Sequence, residues 1–213
     1  MGAADGEVVL YGHWICPYSV RVEFDLVRLG RPYRMVEVPP SGVRPEGFVL
    51  PVEFVEHSER LEIPMIEDAE GFLADSLPIL DRLDPTASPG ARATARWVDA
   101  VVFPPMVGVY YARTEDAAAE AARRLAEVLV ALAERVEASG WLCAAGPSMA
   151  ESTIIPLYVR LEGLRALGFS APLPAPVERH AEACLALPAG RAVAWTSVQT
   201  DEFVQRLSSR RRG

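Results

Sequence analysis

An unbroken apolar run, Val8-Val9-Leu10-Tyr11, ends at Gly12, and a short way on Cys16 is followed by Pro17. Proline lacks a backbone N–H and has a fixed φ, so Pro17 fits a helix only at its first turn. Glu7 to Tyr11 then reads as a short buried strand, and Gly12, His13, Trp14 and Ile15 as the turn that delivers Cys16 to the helix start. Beyond Pro17, Val20, Phe24 and Val27 repeat on one helical face and Val22, Leu26 and Leu29 on another, until Gly30 stops the pattern. Tyr33 to Val38 is a second strand. A strand, a helix and a strand in this order make a β-α-β unit, the start of an α/β domain.

Pro39 to Gly47 is a Pro- and Gly-rich connection, and no element is assigned from there to Leu61. Ile63-Pro64-Met65-Ile66-Glu67 reads as a strand entered through a proline, Asp68 to Gly71 as a turn, Phe72-Leu73 as a short strand, and Ser76 as the cap of a helix through Leu83. Composition changes at Asp84-Pro85-Thr86-Ala87-Ser88-Pro89-Gly90. The chain is therefore expected to hold a thioredoxin-like domain over 1–84, a linker over 85–90 and an all-helical domain over 91–213. In the latter, Ala91 to Tyr110 reads as one helix bent at Pro104 and Pro105. A second spans Glu115 to Ser139, with Gly140 as its stop. The capping box Ser148-x-x-Glu151 opens a helix to about Leu167, perturbed at Pro156. Pro176 to Leu187 is another helix, Pro188 to Val198 an extended connection, and Thr200 the cap of the last helix, whose end carries Arg210, Arg211 and Arg212.

The formal net charge is −8, and all 21 cationic side chains are Arg. No basic stripe precedes the C-terminal arginines, which argues against nucleic acid as a partner. No apolar run approaches the roughly 18 to 20 residues that a membrane span needs, so no membrane association and a cytoplasmic location are expected. Cys16, Cys143 and Cys184 are too scattered for a disulfide framework, and His13, His57 and His180 form no metal-binding spacing, so no metal is expected.

Cys16 is the best nucleophile candidate. A cysteine in the first turn of a helix faces amide groups and the positive end of the dipole, which favours thiolate over thiol. The competing reading is a buried cysteine that acts as a small apolar residue. In Cys16-Pro17-Tyr18-Ser19 the place of a resolving cysteine is taken by Ser19, so a local dithiol cycle is not available. Ser19 donates to the Cys16 sulfur or simply caps the first turn. His13 is near enough in sequence to pair with Cys16, or faces outward. Cys143 and Cys184 read as structural.

The ordered set Tyr11-Gly12, Cys16-Pro17-Tyr18-Ser19-x-Arg21-Val22, Ile63-Pro64-Met65-Ile66, Ala74-Asp75-Ser76-x-x-Ile79 and Ser148-x-x-Glu151 resembles the glutathione transferase family over nearly the whole chain. Cys16 places it near the cysteine-bearing, omega-like and glutaredoxin-related branches, where a mixed disulfide with glutathione replaces the hydroxyl of the Tyr and Ser branches. Tyr11 and Ser19 are neighbouring hydroxyls that resemble that group without standing at the cysteine's position. The resemblance implies a cofactor site of Pro17, Tyr18, Ile63, Pro64, Asp75 and Ser76. In it Ile63-Pro64 would be the cis dipeptide whose first residue pairs with the cysteinyl part of glutathione. Asp75 would hold the γ-glutamyl ammonium, with Ser76 and the helix amide on the carboxylate; a plain helix cap is the other use of this pair.

Where related branches place a Lys for the glycyl carboxylate, this chain has Arg44, His57 and Arg60, so another low-molecular-weight thiol is an alternative to glutathione. The resemblance further implies a substrate pocket walled by Trp14, Trp97, Phe103, Met106, Tyr110 and Tyr111, a small hydrophobic or aromatic electrophile or a disulfide as substrate, and a homodimer. The absence of Lys beside abundant Ala, Arg, Gly and Pro suggests a bacterial gene. The expected function is a glutathione-dependent transferase or thiol reductase acting through Cys16. The alternatives are a thiol-dependent isomerase or lyase in bacterial catabolism or biosynthesis, and a non-catalytic binding protein of the same fold.

Overall fold

The computed structural model describes residues 6–143 and 146–211, and the chain divides into two compact units, Met1–Ala87 and Ser88–Gly213. The first is a sheet with helices on both faces. Its elements are β1 (Val8–Gly12), α1 (Pro17–Arg28), β2 (Tyr33–Glu37), α2 (Val52–His57), β3 (Met65–Asp68), β4 (Gly71–Ala74) and α3 (Ser76–Leu83). The strand order is β2-β1-β3-β4, with β1 parallel to β2 and antiparallel to β3. This is the thioredoxin-like α/β arrangement.

Alternation along β1 builds two cores, because successive side chains of a strand leave on opposite faces. Val8 and Leu10 pack with Val22, Leu26, Ile66, Ile79 and Leu83 beneath α1 and α3. Val9 and Tyr11 pack on the other face with Cys16, Val38, Phe54, Ile63 and Met65. The second face is covered by α2, in the stretch where the sequence suggested no element. That helix has only six residues and is fixed by one buried side chain, Phe54. Arg28 ties α1 to the end of α3, reaching both Asp25 and Asp84 at 2.8 Å.

The second unit is helical. It contains α4 (Pro89–Trp97), a π-helical segment (Val98–Val102), α5 (Phe103–Tyr111), α6 (Glu115–Ala133), α7 (Met149–Val159), α8 (Leu161–Ala166), α9 (Ala175–Ala186), α10 (Pro188–Val193) and α11 (Ser197–Arg211). Helix starts inside the expected linker of 85–90: Ser88 Oγ accepts from Ala91 N–H at 3.1 Å and Pro89 opens α4. The bend expected at Pro104 and Pro105 is a widened turn, in which the Phe103 N–H donates to the Val98 carbonyl. The two prolines then stand in the first turn of α5, where missing donors cost little.

Further boundaries differ from the sequence expectation, among them the helix expected to run to about Leu167, which is divided at Arg160 into α7 and α8. Helix α6 stops at Ala133, because the Glu137 N–H donates to the Trp141 carbonyl at 2.9 Å and the chain turns before Gly140. Pro188 to Val193 is a helix rather than an extended connection. The cap of the last helix is Thr196, not Thr200. Thr196 Oγ1 accepts from Gln199 N–H at 3.2 Å while Gln199 Oε1 accepts from Thr196 N–H at 2.9 Å, and Thr200 lies one turn inside. Ser76 is the first helical residue of α3, with Asp75 at the cap position. The capping box of α7 is present as expected from Ser148 and Glu151. Arg212 and the side chains of Arg210 and Arg211 lie outside the described residues.

Candidate functional site

The Cys16 amide donates to the His13 carbonyl at 2.9 Å, which closes the turn after β1, and the Cys16 carbonyl accepts from Val20 N–H at 3.1 Å, which starts α1. Cys16 is thus the cap residue of α1, with extended backbone, and Pro17 is its first helical residue. Pro17 contributes no N–H, so the donors nearest the sulfur along the chain are the amides of Tyr18 and Ser19. The thiol is 6% exposed. Its Sγ lies 3.8 Å from the Ile63 carbonyl, to which the S–H is directed.

Ile63-Pro64 is a cis peptide. Across it the chain continues the same ring of contacts: the Pro64 carbonyl accepts from Asp75 N–H at 3.3 Å. Asp75 holds φ at +75°, a region that side chains other than those of Gly and Asn rarely adopt, at a cost of about 1–3 kcal/mol. Asp75 is exposed, and its side chain makes no cap hydrogen bond. The next residue, Ser76, is buried, and its Oγ accepts from Arg21 Nη1 at 3.3 Å. The Arg21 guanidinium lies 4.9 Å from the centroid of the Tyr18 ring, back at the first turn of α1. Cys16, Tyr18, Ile63, Pro64, Asp75 and Ser76 are therefore linked through a circuit that Arg21 closes. The sequence reading did not give Arg21 a role. The signal for it was a charged residue lying between Val20, Val22 and Phe24 on a helix that is otherwise buried there.

The neighbouring hydroxyls are engaged elsewhere or face away. Tyr11 Oη donates to Glu67 Oε2 at 3.4 Å. Burial first, then the Glu67 and Glu53 carboxylates, push the Tyr11 phenol up to about 12. Ser19 is fully buried, and its Oγ has no hydrogen-bond partner among the described residues. It packs against Gly12, where a Cβ would stand 3.0 Å from Ser19 Oγ, so a larger residue there would have to push Ser19 aside. His13 Nδ1 accepts from Ile15 N–H at 3.2 Å, an engagement within its own turn.

Of the cationic groups between β2 and β3, Arg44 donates through Nε to the Pro39 carbonyl at 3.1 Å, His57 stacks flat on Phe72 with ring centroids 3.7 Å apart, and Arg60 is exposed. Of the aromatic and apolar residues named for a pocket, Trp14 is half-buried beside His13 in the first unit. In the second unit Phe103, Met106 and Tyr110 are buried, Trp97 lies under Arg135 at 4.0 Å, and Tyr111 is 51% exposed. The remaining cysteines are poor nucleophiles: burial pushes the thiols of Cys143 and Cys184 up. Among the described residues no group of three or more His, Cys, Asp and Glu is placed to hold a metal ion, and no helix is long and apolar enough to cross a membrane.

This geometry, a cysteine at a helix start facing the residue before a cis-proline, defines a thioredoxin-like domain. Residues 10–91 match the family described as the glutathione S-transferase N-terminal domain. The match lies almost wholly within the first unit, and the chain as a whole has the glutathione transferase fold. It is similar in structure to the tau-class glutathione S-transferase of mango, Mangifera indica, with TM-score 0.78 and 19% identity, covering 96% of this chain and 100% of that one. A rice glutathione S-transferase solved in complex with glutathione gives TM-score 0.78 and 18% identity, covering 97% and 98%. An omega-class transferase from Trametes versicolor gives 0.76 and 18%, covering 99% and 94%. No curated protein matches by sequence.

Proposed function

We propose that the protein is a glutathione-dependent thiol transferase or reductase in which Cys16 is the nucleophile. The observation that carries this reading is the position of the Cys16 thiol, at the start of α1 and 3.8 Å from the Ile63 carbonyl, in one circuit with Asp75 and Ser76. The similar rice structure that holds glutathione supports the choice of cofactor. The Cys16 thiolate attacks the glutathionyl sulfur of a mixed disulfide between glutathione and the substrate, the S–S bond breaks, and the substrate leaves as a thiolate; a glutathione thiolate then attacks the Cys16–glutathione disulfide, which releases glutathione disulfide and restores Cys16. The acceptor that fits is a disulfide or a hydrophobic or aromatic electrophile. Of the pocket residues expected from the sequence, Trp97 and Tyr111 are the ones in the second unit that are not buried.

The burial of Cys16 and the direction of its S–H favour a second reading, a glutathione-binding protein without catalysis. Intact-mass measurement after incubation with oxidised glutathione separates the two. One adduct that disappears in Cys16→Ser is expected for the transferase. Binding without an adduct, or labelling confined to Cys143 or Cys184, would sink the mixed-disulfide mechanism.

A further inference from the structure

We propose that the outer face of α2 and the groove beside it form a docking surface for a protein segment that carries apolar residues flanked by arginine or lysine. Helix α2 buries only Phe54, whereas Val52 and Val55, one turn apart on one face, are 65% and 49% exposed. Val49, three residues before Val52, is 87% exposed. A surface helix ordinarily turns its apolar stripe to the core, and an apolar patch left outside marks an interaction face.

The groove adjoins this stripe through Pro51 and Glu53, the chain neighbours of Val52, and its other walls are Tyr11, Arg34 and Val36. None of the residues of the Cys16 circuit lines it. Its volume is about 230 Å³, which suits one extended side chain rather than a large ligand. Val36 and Pro51 offer apolar surface to the stem of an arginine or lysine, and Glu53 offers a carboxylate to its head. Arg34, the cation in the wall, lies 3.7 Å from the Glu7 carboxylate, and the Tyr11 hydroxyl is given to Glu67. Around the stripe, Glu53, Glu56 and Glu59 are exposed and form an ion pair with no cation among the described residues. Two copies that met on this face would bring these carboxylates together, which disfavours a second copy, whereas a cationic segment meets them with opposite charge. The same sign of charge disfavours an anionic lipid surface.

The test is calorimetric titration of the full chain with a helical peptide that repeats Leu-Ala-Arg-Leu, and with its counterpart in which Glu replaces Arg. Wild type is compared with the double variants Val52→Asp/Val55→Asp and Glu53→Gln/Glu56→Gln. Wild type is expected to bind the Arg peptide and not the Glu peptide. The valine variant should weaken that binding by about tenfold or more, the loss expected when two valines no longer bury their side chains. Because the new aspartates add negative charge, attraction by charge alone would instead tighten it, so the direction of the change separates docking from loose ionic attraction. The glutamate variant should also weaken binding and flatten its dependence on salt. Should the valine variant lose its cooperative urea transition, Val52→Ser/Val55→Ser replaces it in the same comparison. Equal or tighter binding by the valine variant, equal binding of the Glu peptide, or no binding of the Arg peptide to wild type would overturn the proposal. So would dimerisation in the analytical ultracentrifuge, or binding to phosphatidylcholine vesicles, that the valine variant abolishes, since either would give this face to another occupant.

Discussion

At the scale of single residues, Tyr11 shows how the same side chain type can be near a reactive centre and unsuited to it. Its hydroxyl donates to Glu67, and its phenol is pushed up to about 12 by burial and by the Glu67 and Glu53 carboxylates. The neutral phenol is the form the fold favours. Its contribution to stability is therefore complete below the ordinary value of 10.0 and is lost as pH rises from there through about 12. Ultraviolet titration of phenolate should show a late-ionising tyrosine that Glu67→Gln moves towards neutral pH, and an unmoved titration would contradict the placement. Cys16 and Pro17 were legible in the sequence because both are local: a buried strand, a turn and a proline that can only begin a helix. Arg21 was not, since its meaning lies in Ser76, 55 positions further along the chain.

Among elements, what the sequence made visible was period and punctuation. The strand and helix of the opening unit, the Ser148 capping box and the helix from Glu115 follow from alternation, helical stripes and caps. Helices α2 and α10 were missed because each has only six residues, too short for a stripe to repeat. Helix α10 is instead held by its packing on α9. A Cβ at Gly190 would overlap the Cys184 carbonyl oxygen and come 2.7 Å from Leu185 Cα, both of them backbone atoms of the neighbouring helix. Gly190→Ala should consequently cost about 3 kcal/mol, as overpacking against atoms that cannot swing aside. Urea unfolding measures it, and a change below about 0.5 kcal/mol would mean that α10 is not docked on α9.

Across the molecule, the stability of the second unit converges on one buried carboxylate. Glu151 accepts from Leu142 N–H at 2.8 Å, Ser148 N–H at 2.6 Å and Ser148 Oγ at 2.8 Å, and it faces His180 Nε2 at 3.4 Å. His180 Nδ1 in turn meets the Tyr158 hydroxyl at 2.7 Å, so α7, α9 and the segment before α7 share one network. Burial alone would raise the Glu151 carboxyl, but the hydrogen bonds from His180, Leu142 and Ser148 hold it below its ordinary 4.5. Its contribution is present above that pH and disappears as pH falls through the lower value it has in the folded protein. Glu151→Ala should cost roughly 3 kcal/mol, because several donors and His180 lose their acceptor inside the protein. Stability measured from pH 7 downward should drop for wild type and stay flatter for Glu151→Gln; parallel curves would exclude Glu151 as the acid-sensitive group.

The amino-acid sequence by itself determined the elements whose causes are local. These are the β-α-β opening, the change to helix beyond Asp84, the capping box, and Cys16 at the start of a helix. Propensity, period and capping act over a few residues and are written in order along the chain. Tertiary structure alone decided that the Cys16 sulfur faces Ile63, that Arg21 closes the circuit through Ser76, that Tyr11 is committed to Glu67, and that Glu151 meets His180. Each of these joins residues far apart in the sequence. Their partners are fixed by which face of a sheet or helix is buried against which other, and that is settled only when the elements pack.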